Sequence, residues 1–233
     1  MSVNELRGER IGRLLNPGLI AVVRALRSEQ VPPLAEALVA GGITAIEITT
    51  TTPDHLTAIR LTRERLGSPA IVGVGTILDV AGANAALAAG AEFVVSPVGA
   101  TELIAPVHAA GCPLMLGAYT ATECQRVHAA GADFVKLFPA DTLGPGYVKA
   151  LRAPLPELRI VPTGGVDVAS APQWLQAGCV ALGIGSSLLK PEILQTDDWG
   201  ALRALAAKFV AAVQSAARPR STLYLQGESR WWR

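Results

Sequence analysis

Cysteine is scarce in this 233-residue chain, which has only Cys112, Cys124 and Cys179. The number is odd and no pair has the CxxC spacing, so neither a disulfide framework nor a zinc site is indicated. We therefore expect three buried or inert thiols and a reducing, cytoplasmic environment.

Charged residues are scarce as well, at 17 % of the chain with a net charge of +1. A protein this close to neutrality is poorly suited to bind nucleic acid or an acidic membrane surface, and neither partner is expected. Apolar runs such as residues 19–23 are too short to span a bilayer, and the first residues lack the apolar region of a signal peptide.

Patterns that bind metals or nucleotides are also missing. His55, His108 and His128 fall in helical stretches away from the strand ends and without the spacing of metal ligands, which favours surface roles. Segments 73–78 and 183–185 lack the third glycine of a dinucleotide-binding turn. No metal and no cofactor are therefore expected.

The chain is rich instead in short β-branched runs that alternate with Ala- and Leu-rich stretches of helical length. The predicted strands cover residues 19–24, 45–49, 70–74, 93–96, 113–116, 134–137, 160–163 and 180–183. The predicted helices cover residues 31–40, 54–66, 79–89, 101–110, 121–130, 146–151, 169–177 and 199–216. This α/β pattern is typical of a single-domain (β/α)8 TIM barrel over residues 1–217, with a doubly wound open sheet as the alternative.

In a TIM barrel the active site forms at the carboxyl ends of the strands. The residues expected at this rim are Arg24, Glu47, Thr49, Gly75, Thr76, Ser96, Pro97, Gly117, Lys136, Phe138, Thr163, Gly164, Gly165, Gly185 and Ser186. They combine a cation, a carboxylate, a lysine, several hydroxyls and two glycine-rich turns on one face.

Two charged residues stand in apolar strands. Lys136, in the segment FVKLFPA, either reaches water from the strand or is buried so that its amine acts as a nucleophile. Glu47, in the segment AIEIT, needs a partner if it is buried, and Lys136 or Arg24 could supply one. The pair is either a nucleophile with a proton-transfer group or a structural ion pair.

The two glycine-rich turns, 162–166 and 183–187, follow the seventh and eighth predicted strands. Loops at these strands often hold a phosphate, because glycine lets backbone N–H groups approach its oxygens and hydroxyls add donors. A phosphorylated small-molecule substrate is therefore expected.

Several motifs, in order along the chain, resemble those of one enzyme family. They are IAVVRA, GGITAIEIT, VGVGTI, FVVSP, FVKLFPA, GPGYVKAL, VPTGGV and GIGSS. The family is that of the class I 2-dehydro-3-deoxy-phosphogluconate (KDPG) aldolases of the Entner–Doudoroff pathway, with their phosphogalactonate relatives. The resemblance implies a TIM barrel, usually a homotrimer, that cleaves a phosphorylated 2-oxo sugar acid to pyruvate and glyceraldehyde 3-phosphate without a metal.

The resemblance also implies roles for individual residues. Lys136 would form a Schiff base with the substrate ketone, and Glu47 would act as the general acid and base. Thr76 would contact the substrate, and Pro97 and Phe138 would form pocket walls. The phosphate-side positions would be Thr163, Gly164, Gly165, Gly185 and Ser186.

The sequence departs from the family pattern at two places. Some members carry an arginine for the substrate carboxylate four residues after the glutamate, where this chain has Thr51. Other members carry it at the end of the first strand, where Arg24 stands, so Arg24 is the expected carboxylate ligand. A proline frequent before Gly117 is replaced by Leu116, which leaves the nearby pocket wall undefined.

The threonine before the double glycine, Thr163, is typical of the gluconate branch and favours that C4 epimer. The alternatives are a 2-dehydro-3-deoxy-6-phosphogalactonate (KDPGal) or 4-hydroxy-2-oxoglutarate aldolase, or a non-catalytic barrel that binds a phosphate ligand. Residues 218–233 have no counterpart in the resemblance. They are interpreted as a flexible extension or the remnant of a protease tag.

Overall fold

The computed structural model describes residues 1–216, and this part of the chain alternates between strands and helices. The strands are β1 (Leu19–Val23), β2 (Ala45–Thr49), β3 (Ile71–Gly75), β4 (Val94–Val95), β5 (Leu114–Ala118), β6 (Phe134–Leu137), β7 (Ile160–Pro162) and β8 (Leu182–Ile184). The α-helices are α1 (Val3–Leu15), α2 (Val31–Ala40), α3 (His55–Leu66), α4 (Val80–Ala88), α5 (Ile104–Ala109), α6 (Ala121–Ala129), α7 (Gly144–Arg152), α8 (Ala171–Gln176), α9 (Pro191–Thr196) and α10 (Trp199–Gln214). Short 3₁₀ helices cover Ser28–Gln30 and Thr101–Leu103.

The eight strands form one parallel sheet in the order β7-β6-β5-β4-β3-β2-β1-β8. Neighbours in the sheet are neighbours in sequence, except that β1 also pairs with β8. A single parallel bridge between Thr163 and Gly183 links the remaining two edges. The ring therefore closes, and the predicted TIM barrel is confirmed.

Alternation along each strand separates two hydrophobic layers. In β2, Ile46 and Ile48 belong to the large core between the strands and the helices, whereas Ala45 belongs to a smaller cluster inside the barrel. In β6, Val135 and Leu137 likewise face the helices, and Phe134 faces inward. Because side chains alternate along a strand, Glu47 and Lys136 point into the barrel one layer above Ala45 and Phe134.

Helix α1, which the sequence reasoning did not predict, closes the amino-terminal end of the barrel. Its residues Ile11, Leu14 and Leu15 pack into the inner apolar cluster. The helix begins with a capping box in which Ser2 and Glu5 bond to each other's backbone. That S-x-x-E pattern was the available signal for the helix, although the segment's sparse apolar positions obscured it.

Buried carboxylates tie this closed end together. Glu92 accepts a hydrogen bond from Arg13 at 3.3 Å and a second, shorter one from Arg63. Asp133 accepts from the backbone N–H of Leu114 at 2.9 Å and lies 2.9 Å from His108 Nε2. His108 thus contacts a buried structural carboxylate, and the expectation of a simple surface role for it was wrong.

Several predicted boundaries differ from the observed ones. The fourth strand is only Val94–Val95, and the eighth runs over Leu182–Ile184. The predicted helix 101–110 is a 3₁₀ turn followed by α5, whose third residue Pro106 has no N–H to donate to the first turn. Helix α7 starts earlier than predicted because Pro145 occupies its first turn.

Within residues 1–216, no helix is both long enough and apolar enough to cross a membrane. The predicted domain end at residue 217 and the predicted tail 218–233 lie outside the described residues.

Candidate active site

The lysine and the glutamate singled out in the sequence meet inside the barrel. Lys136 Nζ lies 3.5 Å from Glu47 Oε1, and the two residues are only 4 % and 2 % exposed. The alternative in which Lys136 reaches water from the strand is therefore wrong. Burial of two charges is costly, so a pair in this position needs a reason beyond stability.

Glu47 differs from the buried carboxylates at the closed end of the barrel. Its Oε1 is the one buried carboxylate oxygen among residues 1–216 that lacks a hydrogen-bond partner. Glu92 and Asp133, by contrast, each accept hydrogen bonds from neighbouring side chains and backbone. An incompletely bonded carboxylate beside an amine is suited to exchange protons with a third group.

A glycine on the adjacent strand makes room for the Glu47 carboxylate. A Cβ atom placed on Gly75 would lie 2.0 Å from Glu47 Oε1. Gly75 is at the end of β3, in register with Thr49 of β2. Any larger residue there would displace the carboxylate. The sequence placed Gly75 at the rim, and the structure adds the reason why a glycine is needed there.

Beside the pair, at the carboxyl ends of the strands, lies an open pocket of about 400 Å³. The predicted site residues that line it are Arg24, Phe138, Thr163, Gly164, Gly165, Gly185 and Ser186. The ring of Phe138 is centred 5.4 Å from Lys136 Nζ, so this side chain connects the pocket to the buried pair. The structure therefore brings most of the predicted binding residues to one pocket. Lys136 and Glu47 do not line this pocket themselves, and Phe138 is the lining residue that contacts Lys136.

The two glycine-rich turns form the β7–β8 side of this pocket. Gly164 and Gly165 have φ angles of 97° and 70°, a region that side chains other than glycine rarely adopt. A Cβ on Gly165 would also lie 2.4 Å from Asp141 Cβ. Ser187 Oγ donates to Val166 O at 2.5 Å and so ties the β8 turn to the β7 turn.

Arg24 reaches across from the end of β1 to the end of β2. Its Nε donates to Thr51 Oγ1 at 2.9 Å, and Thr51 occupies the position where some family members carry an arginine. Because of this bond, the Arg24 guanidinium lies beside the position from which the arginine of those family members would extend. Arg24 also lines the pocket.

Thr76 and Pro97 stand at the ends of β3 and β4, half-buried and outside the residues that line this pocket. Thr76 has a φ of 65°, which is uncommon for a β-branched residue and typical of functional sites. Its carbonyl accepts a hydrogen bond from Thr50 Oγ1 at 3.2 Å. The neighbouring threonine thus helps to hold the strained backbone.

The wall near Tyr119, undefined from sequence, is tied to the loop after β6. Tyr119 Oη lies 3.0 Å from Thr142 Oγ1, and Tyr147 Oη donates to Tyr119 O at 3.0 Å. Thr142 in turn bonds to Pro139 O, next to Phe138. The replacement of proline by Leu116 is therefore compatible with a braced wall on this side.

Metal-ligating residues do not converge in the described part of the chain, where no three His, Cys, Asp or Glu side chains come together. All three cysteines are free and buried, as expected. Burial raises the pKa of Cys112 and of Cys124 to about 11, so neither is a thiolate near neutral pH.

A parallel barrel with a buried amine and carboxylate beside a pocket of glycine-rich turns defines an enzyme of the α/β-barrel class with covalent amine chemistry available to it. Residues 11–205 match the family model described as KDPG and KHG aldolase. The chain therefore belongs to this aldolase family, and the resemblance noted in the sequence is confirmed.

Named relatives agree with the family assignment. The 2-dehydro-3-deoxy-phosphogluconate aldolase of Pseudomonas aeruginosa is 37 % identical over 190 residues, 80 % of this chain and 85 % of the relative. The 2-dehydro-3-deoxy-6-phosphogalactonate aldolase of Escherichia coli is 32 % identical over 173 residues, 74 % and 84 % of the two chains. Both epimer branches are thus represented among the relatives.

A solved structure supports the same assignment. The KDPG aldolase of Legionella pneumophila, with pyruvate captured as a covalent carbinolamine intermediate, superposes with a TM-score of 0.76. It is 26 % identical in sequence, and the match covers 89 % of this chain and 97 % of that one.

Proposed function

We propose that this protein is a class I aldolase that cleaves KDPG to pyruvate and glyceraldehyde 3-phosphate. The 3.5 Å approach of Lys136 Nζ to Glu47 Oε1 inside the barrel is the observation that carries the proposal. Incubation with pyruvate and sodium borohydride tests it directly. An aldolase of this kind gains a reduced covalent adduct, whereas a barrel that only binds phosphate ligands gains none.

In the proposed first stage, the Lys136 ammonium passes a proton to the Glu47 carboxylate 3.5 Å away, and the amine so formed attacks the C2 ketone of the substrate. Glu47 relays a proton so that the carbinolamine hydroxyl leaves as water, and a protonated imine forms. The iminium is an electron sink beside the Phe138 ring, whose face tolerates a cation.

In the second stage, a base removes the proton of the C4 hydroxyl and the C3–C4 bond breaks. Its electron pair moves into the iminium, so that an enamine of pyruvate remains on Lys136 while glyceraldehyde 3-phosphate departs. Protonation at C3 restores the imine, and water then releases pyruvate and the free amine. Glu47 is the group placed to carry these protons, because its carboxylate lies closest to the reacting amine.

The two anionic ends of the substrate have separate partners in this proposal. Arg24 binds the carboxylate next to C2, because a guanidinium offers two parallel N–H donors to its oxygens. The glycine turns at Gly164–Gly165 and Gly185–Ser186 bind the phosphate through backbone N–H groups. Thr76 and Pro97 are proposed to contact the substrate from the β3–β4 side.

Replacement of Arg24 by alanine should lower kcat/KM by about 10- to 150-fold, the range expected for loss of a charge-assisted hydrogen-bonded pair. Pyruvate has the carboxylate and no phosphate, so its half-saturation in borohydride trapping should rise as well. A loss below about threefold would mean that the carboxylate is bound elsewhere. If kcat/KM for the phosphorylated sugar acid falls but the half-saturation for pyruvate is unchanged, Arg24 binds the phosphate and not the carboxylate.

Thr163 supports a preference for the gluconate-derived epimer. It is 6 % exposed, it lines the pocket, and its side chain fills space left by Gly183. A hydroxyl that bonds only one epimer's C4 oxygen contributes up to about tenfold in discrimination. We expect wild-type kcat/KM to favour KDPG over KDPGal and the Thr163→Val variant to lose that preference.

Parallel assays of both epimers with wild type and Thr163→Val measure this ratio. A wild-type preference for KDPGal, or an unchanged ratio in the variant, would assign Thr163 to the phosphate side alone. KDPGal is the second candidate substrate because a phosphogalactonate aldolase is among the relatives. For unphosphorylated 4-hydroxy-2-oxoglutarate, the paired glycine turns would have no ligand.

The proposal extends to a cytoplasmic homotrimer. Exposed apolar side chains at the pocket end of the barrel, among them Leu78 at 58 % and Val98 at 49 %, offer surface for contact between copies. Free cysteines are compatible with a reducing compartment. Light scattering coupled to gel filtration tests the assembly, and a monomeric mass at assay concentration would exclude the trimer.

A further inference from the structure

The threonine run Thr49-Thr50-Thr51-Thr52 begins at the last residue of β2, the strand that contains Glu47. Each member donates to or accepts from another strand end. Thr49 and Thr52 bond to Val23 O, at 3.0 and 3.4 Å. Thr51 is the member of the run that bonds to the Arg24 side chain.

The direction of the hydrogen bonds follows from counting protons. A hydroxyl has one proton to donate, and Thr49 Oγ1 gives its proton to the carbonyl of Val23. Thr51 Oγ1, at 2.8 Å from Thr49 Oγ1, must therefore be the donor of that pair. Its lone pairs remain to accept the Arg24 Nε–H at 2.9 Å.

We infer that Thr51 is a positioning residue that aims the Arg24 guanidinium at the substrate carboxylate through this ordered chain, Arg24 to Thr51 to Thr49 to Val23. The chain returns to β1 next to Arg24 itself, so the ends of two strands fix the arginine. With Nε held, the two terminal nitrogens remain, and neither bonds to protein within residues 1–216. Those nitrogens form the end-on fork that pairs with a carboxylate.

The inference rests on the proposed role of Arg24 and adds to it. Arg24 is exposed, and a long exposed side chain samples many rotamers unless a bond restricts them. Some family members have an arginine at the position of Thr51. In this chain, Thr51 instead orients the guanidinium of Arg24, which extends from the end of β1. The expected effect is on substrate affinity and not on the chemical step.

The test uses Thr51→Val, which keeps the shape of the side chain and removes the hydroxyl, with Thr51→Ser as the matched control. We expect KM for KDPG and the half-saturation for pyruvate in borohydride trapping to rise about three- to tenfold in Thr51→Val. kcat should stay within about twofold, and Thr51→Ser should resemble wild type. Thermal melting verifies that each variant is folded.

A double substitution separates positioning from other effects. If Thr51 acts through Arg24, then Thr51→Val should cause no further loss in the Arg24→Ala background. The inference is overturned if KM is unchanged in Thr51→Val, or if the loss is the same in both backgrounds. If Arg24→Ala alone leaves pyruvate half-saturation unchanged, the carboxylate assignment falls and the positioning role falls with it, while the aldolase proposal stands on the adduct.

Discussion

Replacement of Lys136 by arginine should reduce turnover to below detection. Arginine keeps the positive charge next to Glu47 but stays protonated and delocalised, so it cannot attack a ketone or form an imine. The change therefore removes the nucleophile while it retains the ion pair of the buried layer. Steady-state release of pyruvate measures the loss, and near-normal activity would end the Schiff-base proposal.

A loss of activity alone would not distinguish chemistry from misfolding, because arginine is larger than the lysine that it replaces in a buried position. Lys190→Arg is the matched control, since Lys190 is exposed and lies outside the pocket. The wild-type adduct formed with pyruvate and borohydride supplies the independent measurement. Peptide mass mapping should locate the adduct on Lys136. An adduct on another lysine would show that the other lysine is the nucleophile.

Much of the barrel was predictable because its signals are local. Apolar runs such as residues 134–137 alternate with helical stretches, and the strand β6 was predicted with its observed bounds. The position of Glu47 and Lys136 at strand ends placed both on one rim, since parallel strands of a barrel finish at the same face. Lys136 was thereby one of the two partners expected for a buried Glu47, with Arg24 as the other.

The contributions that were not predictable depend on neighbours distant in sequence. Gly75 matters because the Glu47 carboxylate occupies the space of its missing side chain, and nothing in the segment around Gly75 contains that information. Thr51 was seen as the absence of an arginine, whereas its hydroxyl accepts from Arg24, 27 positions earlier. Helix α1 was missed because only three of its residues are buried.

Replacement of Glu47 by glutamine should lower kcat by about 10²- to 10⁴-fold, the range typical of loss of a general acid and base. Glutamine has nearly the same shape and still forms hydrogen bonds, but its amide cannot exchange protons with the carbinolamine, imine or enamine. The Glu64→Gln variant is the control, because Glu64 forms an exposed helix-surface pair with Arg60.

A structural ion pair would give a different pattern. If Glu47 served only to neutralise Lys136, the glutamine variant would lower the melting temperature and leave folded molecules active. Proton exchange at the methyl group of pyruvate in deuterated water, followed by nuclear magnetic resonance, separates the two roles. That exchange requires the enamine and a base near Lys136, and the carboxylate 3.5 Å from its amine is the base so placed. We expect exchange to slow in parallel with kcat in Glu47→Gln, and exchange at the wild-type rate would assign the proton transfers to another group.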